Sequence, residues 1–61
     1  MNIGTWVVVN DQYCRGERVG AEGIVMGEEW GYILVASPAL RSEAIRSDGF
    51  MLMLPSELDL L

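Results

Sequence analysis

Short runs of apolar and β-branched residues, separated by segments rich in glycine, proline and charge, divide this chain into five extended pieces. Such runs, bounded by turn-forming residues, are typical of β-strands. Strands are predicted at residues 5–10, 23–26, 32–36, 50–54 and 58–61. Between them the pattern predicts a polar loop over 11–20, a turn over 27–31, a loop with at most a short helix over 39–48, and a 3₁₀ turn at 55–57.

Two glycines lie three residues apart at the start of the second strand. Gly20 and Gly23 indicate a backbone that turns with φ > 0 or passes too close to another strand for a Cβ atom. Five short strands in so few residues must curl, because a flat sheet would leave both edges and one apolar face open. The prediction is an all-β small barrel formed by residues 1–61 as a single domain.

The composition narrows how such a barrel is stabilised. The chain has 61 residues, 51% of them hydrophobic, with one cysteine and no histidine. An internal disulfide and a Cys/His zinc site are therefore excluded, and no cofactor or metal is expected. A domain this small has little interior. Part of the apolar surface is expected to contact another protein or a second copy of the chain.

The net charge is −5, from nine acidic residues against four arginines, with no lysine. Nucleic-acid binders generally present a basic face, so this balance disfavours that role. No apolar run approaches the roughly 20 residues of a membrane-spanning helix. Residues 1–4 show neither a charged nor a long apolar region, so no targeting signal is expected. The single thiol suits the cytoplasm, which is the predicted compartment.

Glycine and aliphatic positions carry a resemblance to a known group of folds. These positions are Gly4, Val7, Val9, Gly20, Gly23, Val25 and the closing segment 55–60. With them the chain resembles the SH3-like small barrels, above all the KOW-type branch and the SH3-like accessory subunits of photosynthetic and related electron-transfer complexes. The resemblance implies a five-stranded barrel with a 3₁₀ turn before its last strand. The chain departs from this group in two features. KOW-type nucleic-acid binders tend to be basic, whereas this chain is acidic. Proline-peptide SH3 domains present several tyrosines, whereas the first long loop here has only Tyr13.

The turn between the second and third strands is one candidate binding site. Trp30 follows Glu28 and Glu29, and Tyr32 comes two residues later. The rings and carboxylates together could bind a cation or an arginine of a partner. The alternative is that Trp30 folds over the end of the barrel and Tyr32 packs along the sheet.

The loop over residues 11–20 is the second candidate site. Tyr13, Arg15 and Arg18 lie in it, and an arginine pair can clamp a phosphate or a carboxylate. The alternative is that the arginines form surface ion pairs with Glu17 and Glu22, which contribute little energy. Cys14 is expected to be a small buried residue, since no histidine is present to activate it.

The fourth strand, residues 50–54, is the third candidate. It has more apolar side chains than one small interior can hold, and a strand that is apolar on both faces must be covered on both sides. Its methionines, Met51 and Met53, are mainly core residues. The outer face of the strand is predicted to be a contact surface for a partner or a second copy, with Met51 and Met53 as its candidate contact residues.

Catalysis has little support in the sequence, because the chain has no histidine, no lysine and no nucleophile motif. Glu28 and Glu29 are adjacent, so they are not a positioned acid–base pair. The predicted function is a non-catalytic protein-interaction module, an accessory subunit or adaptor able to associate with itself. The alternative is nucleic-acid-linked: direct binding through Arg15, Arg18, Arg41 and Arg46, or regulation as a small acidic inhibitor.

Overall fold

Five β-strands and three short 3₁₀ turns make up the computed structural model, which describes residues 1–43 and 46–61. The strands are β1 Trp6–Val9, β2 Glu22–Glu29, β3 Tyr32–Ala36, β4 Met51–Met53 and β5 Leu58–Leu60. The 3₁₀ turns are Gly16–Arg18, Pro38–Glu43 and Pro55–Glu57. Within the described ranges there is no α-helix, and hence none with the length and apolar character needed to cross a membrane.

All five strands belong to one antiparallel sheet in the order β4-β3-β2-β1-β5. The strands β2 and β3 form the longest hairpin, and β5 returns to pair with β1, with Val9 opposite Leu58. The sheet curls so that its inner face encloses a single core, and the molecule measures 23 × 22 × 19 Å. The prediction of an all-β, five-stranded small barrel with a 3₁₀ turn before the last strand is confirmed.

The core consists of aliphatic side chains that alternate along the strands with outward-facing residues. This alternation follows from the two-residue period of a strand. The buried apolar residues are Val7, Val9, Val25, Ile33, Val35, Leu40, Met53 and Leu58. They come from all five strands and from the 3₁₀ turn at Pro38–Glu43, so every strand contributes to one hydrophobic cluster.

Both glycines at the start of the second strand have the roles expected of them. Gly20 has φ +94°, a left-handed conformation that other residues adopt only with strain. A Cβ atom on Gly23 would lie 2.6 Å from Val35 Cγ1 and 2.9 Å from the Ala36 carbonyl oxygen. Gly20 therefore turns the chain, and Gly23 lets β2 pass close to β3.

The predicted boundaries of the second strand and its turn are wrong. The strand β2 runs over Glu22–Glu29 rather than 23–26, and the connection to β3 contains only Trp30 and Gly31. The register shifts between Val25 and Gly27, which makes Met26 an extra residue in β2. Such a bulge bends a strand and increases its twist. Gly27 thus lies in the bent part of β2, not in a turn.

Other segments differ from expectation in smaller ways. The loop over residues 11–20 contains the 3₁₀ turn Gly16–Arg18, and Cys14 is exposed rather than buried. The fourth strand is limited to Met51–Met53. In the segment 39–48, the short helical element is the 3₁₀ turn Pro38–Glu43, which buries Leu40 completely, while residues 44 and 45 fall outside the described ranges.

Candidate protein-interaction surfaces

The β2–β3 hairpin presents Trp30 at its tip. Glu29 pairs with Tyr32, so Trp30 and Gly31 are the two central residues of the turn, with φ values of 55° and 82°. Positive φ at both places is the pattern of a type I′ turn, in which Asn-Gly is the favoured sequence. A tryptophan in the left-handed region costs about 1 kcal/mol or more. Its side chain is 92% exposed, so the expectation that it folds over the barrel end is wrong.

The carboxylates beside this tip have different surroundings. Glu28 is exposed, whereas Glu29 is half-buried and its Oε1 atom lies 3.4 Å from Arg46 Nη1. Arg46 also binds Asp48, with an Nη2–Oδ2 distance of 2.9 Å. The hydrogen bond from Arg46, followed by that from the Phe50 N–H, lowers the pKa of Asp48. The charge of Glu29 is thus partly balanced within the molecule, and Glu28 is the more accessible acid at the tip.

Side chains of the first loop are engaged with the barrel and with each other. Tyr13 is half-buried and packs against the hydrophobic core. Arg15 Nη2 lies 3.1 Å from Glu17 Oε1, so the alternative of surface ion pairs is confirmed for Arg15 and Glu17. The pKa of the Glu17 carboxylate is lowered, first by a hydrogen bond from its own backbone N–H and then by the hydrogen bond from the Arg15 side chain. This arrangement favours a structural role for Arg15; Arg18 is half-buried in the same 3₁₀ turn.

The fourth strand divides its side chains differently from the prediction. Met53 is fully buried and Met51 is half-buried against the core, so Met53 does not contribute to an outer contact surface. Leu52 lies between them on the outer face, opposite Leu34 of β3, and is exposed. Leu52 therefore forms the outer face of this strand. The sequence pattern alone did not show which of the apolar side chains in the strand faces outward.

A groove on the outer face of the sheet was not predicted. It has a volume of about 440 Å³ and is lined by Trp6, Ile24, Ala36, Ser37, Pro38 and Arg41. Trp6 is 58% exposed although it lies within β1. One signal in the sequence could have indicated it: Val7 and Val9 face the core, and the alternation of a strand then places Trp6 on the opposite face. Arg41 supplies the charged group of the groove.

Across the described residues, no three cysteine, aspartate or glutamate side chains form a group able to hold a metal ion. Three features of the described surface can contact a ligand: the exposed Trp30 at the hairpin tip, the arginine side chains, and the apolar groove beside Trp6. Comparisons of this chain with protein-family models, with curated proteins and with solved structures give no match.

Proposed function

We propose that this chain is a non-catalytic protein-interaction module, an accessory subunit or adaptor, whose principal anchor is Trp30. The observation that carries the proposal is the combination of 92% exposure with a left-handed backbone at this residue. Strained backbone conformations concentrate at functional sites. An asparagine at this position would fit the turn better and would expose no aromatic ring, so the tryptophan has no evident benefit for folding.

The energy available from this anchor is large for a single side chain. Burial of a tryptophan removes about 150–250 Å² from water, which corresponds to roughly 4–6 kcal/mol of transfer free energy. Tryptophan is among the residues that most often dominate binding at protein interfaces. The turn has only two residues between paired strands, so the ring is presented by a backbone that is already ordered, and little entropy is lost on binding.

Charge at the tip indicates the kind of pocket that would receive the ring. Glu28 and Glu29 precede Trp30, and the whole chain has a net charge of −5. A complementary partner surface combines an apolar pocket with a basic rim, because opposite potentials speed encounter and exclude wrong partners. The resemblance to SH3-like accessory subunits also supports the role of an adaptor.

The ion pairs of the arginines favour a protein partner over a nucleic acid. Arg15 is bonded to Glu17, and Arg46 to both Asp48 and Glu29. Arginines that already bind carboxylates contribute less to a basic patch, and nucleic-acid affinity depends on the number of phosphates neutralised. The nucleic-acid-linked function is therefore the second candidate, and a mobility-shift measurement with nucleic acid tests it below.

The test replaces Trp30 by asparagine. The variant Trp30→Asn is expected to unfold at a higher temperature, since it relieves about 1 kcal/mol of backbone strain, yet to lose the captured partner. Wild type and variant are immobilised, incubated with lysate of the native host and compared by quantitative mass spectrometry. Val19→Asn is the matched control, because Val19 is another exposed apolar residue, in the first loop. It is expected to retain the partner.

Two results would contradict the proposal. One is the capture of the same proteins, in the same amounts, by wild type and Trp30→Asn. The other is a salt-sensitive shift of nucleic acid by the wild-type chain, without any protein that depends on Trp30. The second result would support direct nucleic-acid binding instead.

A further inference from the structure

An apolar row crosses the outer face of the sheet through four neighbouring chain segments. Trp6 of β1 lies opposite Ile24 of β2, and Ile24 lies opposite Ala36 of β3. On the other side of Trp6, the Leu61 N–H donates to the Trp6 carbonyl oxygen over 3.0 Å. We call Leu61, Trp6, Ile24 and Ala36 the outer row. Leu61 is 65% exposed and Trp6 is 58% exposed, so much of this row contacts water.

Opposite charges lie at the two ends of the outer row. At the Ala36 end, Arg41 lines the groove. With the described residues Arg41 forms no hydrogen bond or ion pair. At the Leu61 end, Asp59 is exposed and pairs with Val8, two residues from Trp6 on the same face of β1. One oxygen of Asp59 accepts from Asn10 Nδ2, which leaves the other carboxylate oxygen for a further contact.

We propose that the outer row is a homodimer interface, in which two copies pack face to face about a two-fold axis. A two-fold interface joins the same surface patch of each copy, so the patch must complement itself. Rotation by 180° reverses the row and brings the positive end of one copy to the negative end of the other. Arg41 then lies beside Asp59 of the second copy, and this contact occurs twice in the dimer.

The same rotation brings the exposed tryptophan to the groove. Trp6 lines the groove on the side nearer Leu61, so in the reversed copy its outer surface faces the apolar wall formed by Ile24, Ala36 and Pro38. The groove volume of about 440 Å³ falls within the range of pockets that enclose small molecules. Each copy thus supplies one indole ring and accepts the other.

The dimensions of the row set the strength of this dimer. Neighbouring strands are about 4.8 Å apart, so three spacings make a row of roughly 14 Å. A row of this length spans only part of one face of a molecule that measures 23 × 22 × 19 Å, and small interfaces are typical of weak or transient association. The dimer is therefore expected at micromolar rather than nanomolar concentration, and its affinity is expected to fall at high salt because exposed charge pairs contribute to it.

This surface is separate from the one used in the proposed function. Ile24 and Ala36 pair at the base of the β2–β3 hairpin, whereas Trp30 lies at its tip. Trp30→Asn should leave dimerisation unchanged. It also leaves Trp6 as the sole tryptophan, since the chain has two. The partner-binding role of Trp30 and the homodimer can therefore be tested independently, and one can fail while the other holds.

The deciding experiment exchanges the charges at the two ends of the row. Arg41→Glu places a carboxylate beside Asp59 of the second copy, and Asp59→Arg places an arginine beside Arg41. Each variant alone is expected to dimerise roughly tenfold or more weakly than wild type, since two contacts change from attraction to repulsion. A mixture of the two variants restores attraction at both contacts, so a heterodimer should form with an affinity near that of wild type.

Sedimentation velocity over a concentration series at low salt measures these species against the monomer mass of 6.8 kDa. Thermal unfolding of each variant checks that it is folded, and the fluorescence of Trp6 in the Trp30→Asn background should shift to shorter wavelength as the dimer forms. A wild-type chain that stays monomeric up to about millimolar concentration overturns the proposal. So does a dimer that neither single variant weakens, or a mixture that forms no heterodimer.

Discussion

The variant Gly23→Ala tests the argument that β2 must pass close to β3. An added Cβ atom would lie 2.6 Å from Val35 Cγ1, 2.9 Å from the Ala36 carbonyl oxygen and 3.1 Å from Ser37 Cβ. All three distances are shorter than an ordinary van der Waals contact. The methyl of Val35 belongs to the core and the oxygen of Ala36 to the backbone of β3, so neither can move without disturbing the barrel.

The stability lost in Gly23→Ala depends on the clash with a core methyl group and on the clash with a backbone oxygen of β3. Insertion of a methylene into a tightly packed site typically costs 1–3 kcal/mol. Because one clashing atom here is a backbone oxygen, we expect a value of about 2–3 kcal/mol. A domain of this length has roughly 3–9 kcal/mol of stability in total. Each kcal/mol corresponds to about 4–8 °C in a domain of 60–100 residues, so the melting temperature should fall by roughly 10–20 °C.

Two other glycines of the same chain serve as controls. Gly20→Ala meets no atom within 4 Å but has φ +94°, so only the backbone conformation penalises it. Gly16→Ala meets no atom within 4 Å and has no positive φ, so its stability should be unchanged or raised by about 0.4–1 kcal/mol. Melting temperatures from circular dichroism should follow the order Gly16→Ala, Gly20→Ala, Gly23→Ala. If Gly23→Ala melts with Gly16→Ala, the close approach of β2 and β3 is refuted.

Three further predictions concern stability. Leu40→Ala should cost about 2–5 kcal/mol in a urea titration, because Leu40 is fully buried; Ala39→Gly, at an exposed neighbour, should cost less than about 1 kcal/mol. Asn10→Ala should cost roughly 1–3 kcal/mol in the same assay, since its side-chain amide donates to the Ser56 carbonyl oxygen and to Asp59, which joins the first loop to β5, and its Oδ1 accepts from the Gln12 N–H within the loop. The carboxylate of Asp48 has its pKa lowered by Arg46, so its contribution to stability is present above its ordinary pKa of 3.8 and is lost as the pH falls through the folded pKa. Arg46→Gln should therefore reduce the loss of stability between about pH 5 and pH 2, and an unchanged pH profile would contradict that linkage.

Local chemistry was enough to predict the parts of the fold that single residues determine. Tyr32–Ala36 is continuously apolar and β-branched, and it is a strand over that whole range. Gly20 and Gly23 were expected to turn the chain or to allow a close approach, and they do one each. The 3₁₀ turn at Pro55–Glu57 follows from a proline that fixes φ, and Glu57 completes it by accepting the Leu54 N–H over 2.8 Å.

Features that depend on residues far apart in the chain could not be predicted in this way. A glycine such as Gly27 suits a turn and a bulge equally well, and only the pairing with β3 distinguishes the two. Met53 and Leu52 have similar hydrophobicity, so the face that each occupies depends on the register with β3. The outer groove combines β1, β2, β3 and the segment after β3, and no local pattern indicates that Trp6 and Arg41 line the same depression.

The pairing of β1 with β5 also determines when the molecule can fold. Val7 lies opposite Leu60, so this ladder joins residues from the beginning and the end of the sequence. Contacts between such distant residues slow folding, because a long loop must close before they form. During synthesis the ribosome must release β5 before β1 gains its second neighbour. Until that moment the backbone N–H and C=O groups along the Val7–Val9 edge of the nascent chain are unpaired. A chaperone that binds extended segments could bind this edge.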